Sequence, residues 1–131
     1  MTVRFVLGMA CLLGAMLPLS PARAQGGPPT ILPDNPYGRA VLCAATLAFS
    51  AQAVRDKDAT VAAKMEDGMG RWLLRGVNLA PKAGRTVEQM NSAVKFQLDM
   101  LPIFIKNPQD QEKILQNVGI CGKEAALLPS R

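Results

Sequence analysis

Catalysis by a protein chain draws on nucleophiles, acid–base pairs and metal ligands, and this chain offers few of them. It contains three cysteines, Cys11, Cys43 and Cys121, and no histidine. A cysteine nucleophile works beside a base, ordinarily histidine, so thiol catalysis lacks its second member. A structural zinc site asks for four Cys or His ligands. A thioredoxin-like redox centre asks for Cys-x-x-Cys, a spacing that does not occur here. Haem attachment through Cys-x-x-Cys-His fails on the same grounds. There is neither a Walker loop nor a G-x-S-x-G turn. Glu66-Asp67 is an adjacent acidic pair, but neighbours on a helix do not share a face, so the pair reads as a solvated surface. The sequence therefore predicts no catalytic residues, no cofactor and no enzyme.

Two methionines ask for a closer look. Met65 and Met69 stand at i, i+4, with Trp72 the next member of the stripe. Two thioethers at that spacing suit Cu(I), a soft ion. With neither histidine nor free thiol to complete the ligand set, they read instead as flexible side chains filling core gaps beside the indole.

The first 24 residues resemble a secretory signal. Arg4 gives a short positive start, Phe5 to Leu17 form an apolar run, and Ala22-Arg23-Ala24 is a small-x-small cleavage pattern. The apolar run falls short of the roughly 20 residues that a spanning helix needs, and prolines follow it. Gly8-Met9-Ala10-Cys11 imitates a lipoprotein site only faintly, because Gly8 stands where a bulky aliphatic residue belongs. Cleavage after Ala24 is expected, giving a periplasmic or secreted bacterial protein without a stable membrane anchor. Only Cys43 and Cys121 then remain, and in an oxidising compartment the expected outcome is a disulfide between them.

The formal net charge of +5 includes Arg4 and Arg23 of the signal, so the mature chain is only modestly basic. With one Trp and one Tyr there are few platforms for stacking bases, and no nucleic-acid partner is expected.

The elements that would carry these residues read as helices. Residues 25–34, rich in Gly and Pro, form an aperiodic stretch read as a flexible arm on which Ile31 and Leu32 alone could hold the body. Residues 35–131 read as a single helical domain. Asn35-Pro36 and Asn107-Pro108 each pair an N-cap with a proline at the first helical position. Thr86 and Gln89 form a capping box. The first helix, Pro36 to about Asp56, carries no charge between Arg39 and Arg55 and is apolar on all sides, which marks a buried helix. The second is expected from Ala59 to Val77, with Gly68 and Gly70 marking either a close approach to the alanine-rich first helix or a break. A loop follows over residues 78–84. The third starts after Thr86 and meets Pro102, which is expected to kink or interrupt it. The fourth starts at Pro108 and is expected to end at Gly119 in a left-handed cap, leaving Cys121 on a turn. The fold class expected is all-α, a small four-helix bundle-like domain stapled by one disulfide.

The surplus of apolar surface supplies the functional expectation. Leu42 and Phe49 make a second stripe on the first helix, and Phe96, Met100 and Ile103 a second stripe on the third. Arg71, Leu74 and Arg75 form an apolar spot beside positive charge. Both stripes are satisfied internally if these helices are central; otherwise such surfaces suit a partner protein or a homodimer, or a small apolar ligand held between helices one and three. An envelope chaperone that exposes its stripes under stress is a third reading. The leading expectation is a non-enzymatic exported protein that acts through protein–protein contact.

Overall fold

The computed structural model describes residues 27–130, and the expected signal segment and Cys11 lie outside the described residues. Within them the chain is all-helical, with no strand. Helix α1 spans Pro36–Val54, α2 Ala59–Leu79, α3 Val87–Phe104 and α4 Pro108–Ala125, with a short 3-10 turn at Pro81–Ala83.

Each helix starts where a side chain satisfies its unpaired N–H groups. Asn35 accepts from the Gly38 N–H at 3.0 Å, and Asp58 accepts from Thr60 and Val61, both at 3.1 Å. The Thr86 hydroxyl accepts from the Gln89 N–H at 3.1 Å while the Gln89 side chain accepts from the Thr86 N–H at 2.9 Å, the reciprocal capping box. Asn107 accepts from Gln109 and Asp110 at 2.9 and 3.3 Å. Both "NP" starts and the capping box thus lie where the sequence places them.

Helix α1 is the centre of the molecule. It packs against α2, α3 and α4, and it is buried continuously from Ala40 through Leu47. Its alanines let α2 come close. A Cβ on Gly68 would stand 3.0 Å from Leu47 Cδ1 and 3.3 Å from Ala125 Cβ, so Gly68 marks a close approach of helices and α2 runs on unbroken. Gly70 faces open space and has no such reason.

The structure sharpens two expectations about helix ends and corrects a third. Helix α2 continues past Val77 to Leu79, because Leu79 and Ala80 pack on the cluster of Tyr37, Val41, Met90 and Ala93. The turn that follows closes at Gly84, whose φ of +70° is the left-handed value glycine tolerates. Helix α3 is not interrupted at Pro102; this residue is exposed in the last turn, and the helix ends just beyond it at Phe104. Helix α4 does not end at Gly119. It runs through Gly119, Cys121 and Gly122 to Ala125, and neither glycine has positive φ. The stripe Ile114, Asn117, Cys121 and Ala125, buried at spacings of three and four, holds this helix against α1. Burial of that stripe outweighs the roughly 1 kcal/mol that each glycine costs a helix.

Cys43 and Cys121 are joined by a disulfide, with Cα atoms 5.3 Å apart and both residues fully buried. The bridge therefore links the middle of α1 to the last turns of α4. The Trp72 indole N–H donates to the Cys121 carbonyl at 3.0 Å, so α2 is tied to the same point.

Residues 27–33 lie against the helical body. Pro29 is fully buried, and Leu32 packs on the cluster around Cys43 and Trp72, while Ile31 remains exposed. The arm lies across α1 between α3 and α4, and it is what covers the Leu42 side of α1.

Candidate functional site

Between α2 and α4 the surface opens into a groove of about 740 Å³. Val61, Met65 and Gly68 of α2 line one side and Val118, Gly119 and Gly122 of α4 the other, with Leu47 of α1 at the base. Gly119 and Gly122 leave the α4 wall without side chains at their positions, and a Cβ on either would meet nothing within 4 Å. Lys64, Asp67, Arg71 and Lys123 form the rim. Asp67 accepts from Arg71 Nε at 2.9 Å, which leaves Lys64 and Lys123 to set the sign of the rim as positive. An apolar groove with a few charged groups at its edge can hold an aliphatic chain or the apolar face of a helix.

The residues singled out from sequence fall in different places. Met65 and Met69 both pack on the core cluster that contains Trp72, Leu47 and the disulfide. Met65 also lines the groove, and the two cysteine sulfurs nearby are bonded to each other, so no thiolate joins the thioethers. Leu42 is buried, correcting its place on a candidate surface; the arm and α3 close over it. Phe49 is half-buried against Ala45, Leu101 and Ile114. Phe96 and Ile103 stand on the outer side of α3, 37% and 61% exposed, with Met100 half-buried between them. Arg71 is spent on structure as well as charge, since its Nη1 donates to the Leu128 carbonyl at 2.9 Å and pins the last residues of the chain. Leu74 is half-buried and Arg75 exposed, and neither lines the groove. The contact between helices one and three leaves a slot of only about 30 Å³ under the arm, room for about one water.

Sequence reasoning missed Gly119, Gly122, Lys64 and Lys123 as groove residues, because Gly119 reads as a helix stop. It also missed Gln97 and Asn117. Both carry a legible sign: Gln97 interrupts the stripe Met90, Ala93, Leu101, and Asn117 the stripe Ile114, Cys121, Ala125. A polar residue on a buried stripe needs a hydrogen-bond partner. Here the partners are the carbonyls of the arm.

Over the described residues, the fold is all-helical and carries the Cys43–Cys121 disulfide. The chain matches no family model, no curated protein and no solved structure.

Proposed function

We propose that the chain is a non-enzymatic exported protein that acts by contact with another protein, and that the groove between α2 and α4 receives an apolar helix of that partner. The observation that carries this reading is the pair Gly119 and Gly122. Both lie inside a helix they weaken, both face empty space, and together they leave bare backbone along one wall of an apolar groove. A glycine without an internal neighbour gives an outside helix room to approach closely, the use small residues serve at helix–helix contacts. The cations on the rim favour a partner with acidic residues flanking its apolar face. Export is supported by the Cys43–Cys121 bridge together with the signal-like start, and no described helix is long and apolar enough to cross a membrane.

The groove volume also lies in the range of sites for small molecules, which favours a carrier of an apolar ligand as the second reading. One experiment separates the two. Native mass spectrometry of the protein taken from the cell envelope is compared for the wild type and a Gly119→Leu/Gly122→Leu variant that fills the groove. A partner protein lost on filling supports the first reading, and a bound small molecule lost on filling supports the second. An intact monomer identical in both overturns both.

A further inference from the structure

The walls of the groove between α2 and α4 offer almost nothing to a polar group. The larger side chains lining them are Leu47, Val61, Met65 and Val118, with no aromatic ring, and Thr60 is the one uncharged polar side chain. The backbone left bare at Gly119 and Gly122 lies inside α4, where N–H and C=O groups are spent on the helix. The Gly122 carbonyl, for example, accepts from the Ala126 N–H at 3.3 Å. A hydroxyl or amide carried into this space would lose its water and gain no partner. An alkyl chain has no such group to lose.

The rim differs from the walls in charge. Arg55 holds Glu66 at 2.7 Å, Arg71 holds Asp67 at 2.9 Å and Arg39 holds Glu124 at 2.7 Å. These acids stand beside the groove residues of α2 and α4, and each is matched by an arginine. Among the described residues, Lys64 and Lys123 take part in no ion pair. Both are exposed, one on each wall, and a lysine ammonium on its flexible stem can follow an anion placed between them. Leu47, Gly68 and Ala125 are buried beneath the groove and floor it, so the charged edge is its open side.

We propose that the groove binds a single-chain anionic amphiphile, with its alkyl chain along the Gly119–Gly122 wall and its head group between Lys64 and Lys123. The proposal rests on the second reading above, a carrier of a small apolar ligand, and adds the class of molecule carried. A volume of about 740 Å³ falls within the roughly 300–1,000 Å³ of sites that enclose one small molecule. The aliphatic walls select the chain by excluding internal polar groups, and the two unpaired cations select the sign of the head.

The test is isothermal titration calorimetry of the disulfide-bonded protein with laurate, dodecanol and dodecyltrimethylammonium, three head groups on chains of equal length, each below its aggregation limit. Laurate should bind roughly two- to tenfold more tightly than dodecanol, the scale of one or two exposed ion pairs, and the cation most weakly. Added salt should remove that advantage without a matching loss for dodecanol. A Lys64→Gln/Lys123→Gln variant should bring laurate down to dodecanol and leave dodecanol where it was. The Gly119→Leu/Gly122→Leu variant should lose all three. Equal binding of laurate and dodecanol to the wild type overturns the proposal while a carrier of neutral chains stands. Binding of none of them overturns the carrier reading as well and leaves the groove to a partner helix. A laurate preference that survives the lysine change or the filled groove also overturns the proposal, because the anion then sits elsewhere. The comparison of head groups and its salt dependence use the wild type alone, so they decide the matter even if a variant fails to fold.

Discussion

Arg39 and Glu124 show how a single pair of side chains works in this molecule. The guanidinium meets the carboxylate through two bonds, Nε to Oε1 at 2.8 Å and Nη2 to Oε2 at 2.7 Å, and its Nη1 also donates to the Pro33 carbonyl at 3.3 Å. One residue of α1 thereby holds both the end of α4 and the root of the arm. The hydrogen bond from Arg39 is the main reason the Glu124 carboxyl is held below the ordinary glutamate range; partial burial pulls the other way, and the charge of Arg39 adds to the lowering. A group depressed in the folded state stabilises above its unfolded value, and that stability is lost as pH falls through the folded value. Acidification below the usual glutamate range should therefore weaken the fold, and a Glu124→Gln variant should lose less over the same interval. Urea titrations at neutral and acid pH measure the difference. It should be about 1 kcal/mol or less, because both side chains are partly exposed and screened.

At the scale of the element, glycines sort by what surrounds them. Gly68 sits where a larger side chain would strike Leu47 and Ala125, so Gly68→Val should cost roughly 1–3 kcal/mol through overpacking. Gly119 and Gly122 meet nothing, so replacing either with alanine should stabilise α4 by about 0.5–1 kcal/mol through backbone propensity alone. Shifts of the urea midpoint in opposite directions would bear this out. If partner binding falls in the same alanine variants that fold more stably, the glycines serve the groove at the expense of the helix. From sequence the two kinds of glycine look alike. The caps, by contrast, were readable from local residues, since Asn35, Thr86 and Asn107 each bond within three residues of themselves.

For the whole molecule, the bridge closes a loop of 78 residues, from the middle of α1 to the end of α4. Restricting the unfolded chain to that extent is worth about 4.5 kcal/mol on the chain-entropy account. Reduction should lower the thermal midpoint markedly while the far-ultraviolet helical signal persists at moderate temperature. Melting curves with and without reductant measure both. Equal midpoints would mean that packing alone holds α4 against α1.

Much of this was settled by sequence alone. The all-helical class, the starts of the helices, the burial of α1 and the Cys43–Cys121 pairing follow from periodicity, capping residues and cysteine count, all of which act locally or by elimination. The tertiary structure decided what depends on distant residues. It carried α4 through two glycines because Cys121 and Ala125 find α1, and it docked a proline-rich arm that has no periodicity of its own. It buried Leu42 beneath that arm while leaving Phe96 and Ile103 outside. It also opened a groove between helices that touch only in part. The physical reason is common to all four: local sequence sets which face of an element is apolar, and only the assembled neighbours decide what covers that face.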